Sequence, residues 1–137
     1  MTLGDLVLLV LRVALAATFA VMGVLHFVPS VRRGMRAMIP PALRRPGVPS
    51  PAVLVALTGV CELAGAAGLL VPWDVLRLVA GIALAVFLVA VFPANAYAAT
   101  RPDKFGRAAI PFWRRYLAQL VLIAAVLVAV QPAASFA

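Results

Sequence analysis

Apolar residues occupy this chain in four long stretches, with the polar residues gathered between them. The stretches run from about Leu6 to Val28, Pro51 to Val71, Val75 to Ala98 and Trp113 to Val130. A helix crossing a bilayer needs about 20 mostly apolar residues, so each stretch predicts a membrane span. Together they take up most of the chain, which leaves no room for a soluble domain beside them and shows no internal repeat. The expectation is an all-α, integral membrane four-helix bundle forming a single transmembrane domain over residues 1–137.

The first stretch has the length of a secretory signal, but a signal peptide has a positive start. Here the start is Met1-Thr2-Leu3-Gly4-Asp5, which is acidic, and Arg12 lies inside the apolar stretch. A retained helix is expected. Between the first two stretches, Val31, Met35, Met38 and Ile39 recur at helical spacing with Arg32, Arg33 and Arg36 opposite. That pattern predicts a short amphipathic interfacial helix in the first loop, ended by Pro40-Pro41.

Composition narrows the class. Of 137 residues, 66% are hydrophobic and 12% charged, and mean hydropathy is +1.13. A soluble domain is about half apolar and about a quarter charged, so a soluble enzyme, a disordered chain and a disulfide scaffold are excluded. The lone Cys61 cannot make an internal disulfide or a CxxC pair, and apolar burial would leave its thiol inert. The lone His26 cannot ligate a haem on both faces, and four acids with one histidine argue against a protein-only metal cage. The net charge of +8 does not point to nucleic acid, because nucleic-acid readers are basic and polar rather than basic and oily.

Charge position then sets topology. Arg32, Arg33, Arg36, Arg44 and Arg45 lie in the first loop, and Arg101, Lys104, Arg107, Arg114 and Arg115 lie in the region from Arg101 to Arg115. The Pro72-Trp73-Asp74 turn and both termini carry no basic residue. Lys and Arg are retained on the cytoplasmic side, so both basic loops are expected in the cytoplasm, with both termini and the Trp73 turn outside. Eleven of the twelve basic residues are arginine, which fits a GC-rich coding bias and a bacterial cytoplasmic (inner) membrane. The basic face of the amphipathic helix (Arg32, Arg33, Arg36) would attract anionic lipid at about 1 kcal/mol per residue, or serve only as a solvated topology signal. Trp73, Tyr97, Trp113 and Tyr116 read as interface anchors.

Seven polar residues lie where hydrocarbon disfavours them: Arg12, His26, Thr58, Glu62, Asn95, Arg115 and Gln119. An ionisable side chain at mid-bilayer costs at least ~2.5 kcal/mol and normally finds a partner inside the bundle. Counted from the cytoplasmic helix ends, Arg12 lies roughly 24 Å and Glu62 roughly 16 Å up, which predicts an Arg12–Glu62 pair. His26, Asn95, Arg115 and Gln119 fall near the cytoplasmic end and predict a second polar cluster. Pro93 frees the Val89 carbonyl, a further acceptor if it faces inward. Both clusters fit either a functional intramembrane pocket or interhelical glue, where a polar contact is worth about 0.6 kcal/mol. Gly59, Gly65, Ala66 and Gly68 read as small residues that permit close helix packing.

At these residues the chain resembles the DoxX family of small bacterial membrane proteins. The matching pieces are MGVLHF (Met22 to Phe27), MIPPAL (Met38 to Leu43), LTGVCELAGAAGLLVP (Leu57 to Pro72), VFPANAYAA (Val91 to Ala99) and RRYLAQLVLIAA (Arg114 to Ala125), with Arg12 in the first helix. Their order along nearly the whole chain carries the resemblance more than any single piece. It implies a four-helix bundle related to the small subunit of thiosulfate:quinone oxidoreductase and to the methylamine-utilisation protein MauE. It further implies a membrane subunit of a redox assembly handling sulfur compounds, quinones or oxidative stress, with Arg12, His26, Glu62, Asn95 and Gln119 as the family's polar residues.

Three function classes compete. A redox-complex subunit contacting quinone predicts a soluble oxidoreductase on the cytoplasmic loops, because the chain supplies no redox centre of its own. A transporter would use Glu62, as small multidrug transporters use a glutamate, but theirs lies in the first helix and most transporters are built from repeats. A lone enzyme lacks its apparatus: there is no nucleophile–base pair, phosphate loop or metal-spaced histidines. A purely structural scaffold and a homo-oligomer stay open.

Overall fold

The structure, a computed structural model, describes residues 1–132. The regular elements among them are all helical: α1 (Leu3–Leu25), α2 (Pro29–Met38), α3 (Pro51–Leu70), α4 (Asp74–Ala99), α5 (Pro102–Phe105) and α6 (Phe112–Ala129). Short 3₁₀ turns at Pro41–Leu43 and Gly106–Ala108 join them. Four helices (α1, α3, α4 and the α6 region) are long and apolar enough to cross a membrane. These are the four expected spans, shifted by at most three residues at any end. The expected amphipathic helix is α2, and it stops before Pro40 and Pro41.

Local chemistry sets the helix ends. Thr2 and Asp5 form a reciprocal capping box on α1, each side chain accepting from the other's backbone N–H at 2.7 and 3.2 Å. Ser50 caps α3, and Pro51 sits at its first position. Pro29 and Pro102 start α2 and α5 the same way. Gly106 ends α5 with a φ of 52°, a left-handed conformation that glycine adopts without steric cost. Pro93 stands inside α4 without ending it. Pro93 and Val89 are both exposed, so the carbonyl freed by the proline lies on the outer face and adds no acceptor to the interior.

The long helices pack in a ring: α1 on α3, α3 on α4, α4 on α6 and α6 on α1. The core is built from Leu15, Ala16 and Phe19 of α1, Ala66 and Leu69 of α3, Leu84 and Leu88 of α4, and Val126, Ala129 and Val130 at the end of α6. Glycines bring the helices close enough to form it. A Cβ on Gly65 would clash with Leu84 and one on Gly68 with Ala80, and one on Gly81 would lie 2.6 Å from Val130. The outer faces carry Val10, Val13 and Val24 of α1, Val60 of α3, Val79, Val86 and Val89 of α4 and Val121 of α6, all more than 45% exposed. Helices that are apolar all round belong in hydrocarbon. α2 packs against α3 and α4, with Val31, Met35, Met38 and Ile39 half-buried and Arg33 and Arg36 exposed.

Candidate functional site

Among the described residues, three charged or titratable ones are buried: His26, Glu62 and Arg77, at 9%, 8% and 7% exposure. His26 and Glu62 meet across the α1–α3 seam. Two glycines hold the helices together at this level. A Cβ on Gly59 would lie 2.7 Å from the His26 Cβ, and one on Gly23 would lie 2.8 Å from Leu63. His26 caps the C-terminus of α1, and its Nδ1 lies 2.7 Å from the Met22 carbonyl one turn back. A carbonyl only accepts, so Nδ1 carries the hydrogen and Nε2 is the basic nitrogen of the neutral ring. The same Nδ1 lies 3.1 Å from Glu62 Oε2. The Nδ1 hydrogen is directed to Met22, and Oε2 is buried without an aligned hydrogen bond. The pair therefore sets a carboxylate oxygen with unused accepting capacity beside an imidazole whose Nδ1 is bonded to Met22 and whose Nε2 makes no hydrogen bond among the described residues.

Arg12 does not pair with Glu62. Its Nε donates to the Ala129 carbonyl at 2.6 Å and its Nη2 to the Gln131 carbonyl at 2.9 Å. These carbonyls lie at the end of α6, where the last turn has no intrahelical donors left. The expectation failed because it placed the ends of α1 and α3 in one plane. In the structure the end of α1 meets the twelfth residue of α3, about 16 Å above Pro51, and α2 packs beside α3. Arg12 then stands about 21 Å beyond His26 along α1, level with the far end of the bundle.

Arg77 is the buried residue that sequence reasoning undervalued. It donates through Nε and Nη2 to the Val71 carbonyl at 3.2 and 2.8 Å, and through Nη1 to Asp74 at 2.8 Å. Val71 is the C-cap of α3, so Arg77 does for α3 what Arg12 does for α6. The available signal was the spacing: an arginine three residues after an aspartate and six after the end of an apolar stretch.

The second predicted cluster forms only in part. Arg115 Nη1 donates to Asn95 Oδ1 at 2.6 Å, and Nη2 donates to the Ala108 carbonyl. This ties α6 to α4 and to the 3₁₀ turn. Gln119 is half-buried one helical turn further along. The described partners of His26 are Met22 and Glu62, not Asn95 or Arg115. Thr58 turns back on its own helix, donating to the Val55 carbonyl at 2.7 Å. Cys61 is exposed rather than buried. It lines an apolar slot of about 250 Å³ with Ala64, Gly65, Ala80, Ala83, Leu84 and Phe87. A second cavity of about 270 Å³ lies under the Leu43–Pro51 loop. Neither is lined by His26 or Glu62. The predicted polar residues thus divide into a His26–Glu62 pair, an Arg115–Asn95 clamp and a remote Arg12, in place of one pocket.

A family model described as a domain of unknown function, DUF8561, matches residues 15–131. The chain belongs to this family. The matched span holds His26, Glu62, Arg77, Asn95 and Arg115, while Arg12 precedes it. No curated protein and no solved structure matches the chain.

Proposed function

We propose that this chain is a DoxX-like, multi-pass protein of a bacterial inner membrane, with the His26 end of the bundle toward the cytoplasm and the Trp73 turn outside. It serves as the membrane subunit of a redox-linked assembly, and His26–Glu62 is its proton-handling pair. The observation that carries this reading is the buried Glu62 Oε2, 3.1 Å from His26 Nδ1 and without an aligned hydrogen bond. An unsatisfied carboxylate oxygen in hydrocarbon costs free energy, and a proton exchanged at this pair gives that cost a use. The ordered DoxX-like motifs and the two basic loops supply the class and the orientation.

The residues fit a quinone in one respect: an oxygen without a donor beside a ring nitrogen can exchange a proton with a bound hydroxyl or carbonyl. A quinone would supply the two-electron carrier that the chain lacks. The protein's own part is to hold the proton. Met22 fixes the tautomer of His26, so Nε2 is the nitrogen that takes up or releases it. Glu62 stabilises the imidazolium when it forms. Gly23 and Gly59 keep the helices close enough for that to happen.

The test is purification from the native host in mild detergent, analysed for bound quinone and for partner proteins. The wild type is expected to carry quinone and to retain a soluble oxidoreductase, and Glu62→Gln is expected to lose the quinone while remaining folded. Recovery of this chain alone, free of quinone, would remove the redox reading. Proton-coupled uptake in proteoliposomes that disappears in Glu62→Gln would assign transport instead.

A further inference from the structure

The ten basic residues of the two basic regions, Arg32 to Arg45 and Arg101 to Arg115, are not equivalent. Side-chain hydrogen bonds and ion pairs among the described residues account for Arg44 and Arg115 alone of these ten. Arg44 folds back on α2, donating to the Ile39 and Arg36 carbonyls at 3.1 and 2.7 Å, and so caps that helix. Arg115 clamps Asn95 and Ala108. Arg101 and Lys104 lie over the rings of Tyr97 and Phe105, at 5.3 and 5.4 Å. That leaves Arg32, Arg33, Arg36, Arg45, Arg107 and Arg114, of which all but the half-buried Arg32 are exposed. The one carboxylate in these loops, Asp103, makes no ion pair among the described residues.

The tertiary structure gathers these cations at one end of the bundle. Neighbouring long helices run antiparallel, Gly23 meeting Leu63, Gly65 meeting Leu84 and Asn95 meeting Arg115, so α2, which follows α1 and packs on α3 and α4, and the second basic loop, which follows α4, lie on the same side of the bundle. Beside that loop, Trp113 is 71% and Tyr116 39% exposed, and Phe92, Phe112, Trp113 and Tyr116 form one aromatic cluster with ring centroids 5.6 to 6.1 Å apart. Aromatic residues of this kind sit at headgroup level. A set of unpaired cations beside an interfacial aromatic cluster faces phosphate, since the membrane surface attracts each such Lys or Arg.

We infer that this end of the molecule is a binding surface for anionic phospholipid headgroups, formed jointly by Arg32, Arg33 and Arg36 of α2 and by Arg107 and Arg114 before and within α6. Arg44 and Arg115 belong to the fold and not to the surface. Lipid stabilises the packing of α2 against the bundle by bridging the two loops, which otherwise repel each other. This inference needs only a bilayer at the basic end and stands apart from the redox reading.

The test uses the full chain, delipidated in mild detergent and titrated with phosphatidylglycerol or with phosphatidylcholine of the same acyl chains. Occupancy is read by native mass spectrometry and stability by thermal unfolding. Phosphatidylglycerol is expected to bind more tightly and to raise the unfolding temperature, both effects falling with added salt. Each free arginine changed to glutamine is expected to weaken that binding about fivefold. Arg33→Lys/Arg36→Lys should retain it. Arg44→Gln and Arg115→Gln should lower stability while the folded fraction keeps its lipid preference. Equal binding of the two lipids overturns the inference, as does full preference in a variant lacking all five surface arginines. Absence of lipid preference together with a salt-released acidic protein on the loops would overturn it too, and would assign the surface to that protein.

Discussion

The two ends of the bundle bury charge in opposite ways. At the Trp73 end, Arg12 and Arg77 place their guanidinium groups on the C-terminal carbonyls of α6 and α3. Each meets acceptors that the helix would otherwise leave unbonded, and the negative end of the helix dipole adds to the attraction. At the His26 end, histidine and glutamate share one short contact, and one carboxylate oxygen remains without a hydrogen bond. The first arrangement is complete in itself and reads as structure. The second is incomplete and reads as chemistry. In a chain of this kind, the acceptors still open tell more about function than the charges that are buried.

Substitutions separate these cases. Arg12→Met removes two charge-assisted bonds at once and is expected to cost about 2 kcal/mol, measured by unfolding in mixed micelles. An unchanged stability would mean that the α6 carbonyls find other partners. Because Arg12 and Glu62 are not partners, an Arg12→Glu/Glu62→Arg exchange should be at least as damaged as the two single changes together, and rescue by the exchange would restore the rejected pairing. Gly59→Ala presses a methyl group against His26 and is expected to cost about 1.5 kcal/mol by overpacking. It should also displace the pair and lower any quinone content. Arg77→Gln keeps one donor near Val71 and should cost about 1 kcal/mol. The smallest effect belongs to Glu62→Gln, which replaces an underbonded carboxylate with a neutral amide. Its stability should stay within about 0.5 kcal/mol of wild type, while function is lost. A large destabilisation there would make the pair structural and erase the contrast between the two ends.

Much of the architecture is legible in the pattern of residues. The four apolar stretches mark the long helices because hydrocarbon-length helices need no partner to reveal themselves. The α2 helix follows from the spacing of Val31, Met35, Met38 and Ile39, and its end from Pro40 and Pro41. The site residues were legible singly and not as a set. His26, Glu62, Asn95 and Arg115 stand out because they are costly in lipid, and so does Arg12. Which of them meet depends on the axial offset of α1 against α3, and no local pattern records that offset.

The arginines show the same division. Sequence alone determined where the basic residues lie: ten in two regions, the last two of them (Arg114 and Arg115) at the start of the fourth span, and Arg12 and Arg77 within other spans. Residue types alone point a buried arginine to a carboxylate, and this chain has four acids. Only the tertiary structure decided that Arg12, Arg77, Arg44 and Arg115 donate to backbone carbonyls of neighbouring segments. The physical reason is that every helix end leaves carbonyls unbonded whatever its sequence, so these acceptors are invisible in the residue types and become specific only when another helix brings a guanidinium to them. Hydropathy is a property of segments and can be read along the chain. The pairing of His26 with Glu62 is a property of two helices seated together on Gly23 and Gly59, and it exists only once they pack.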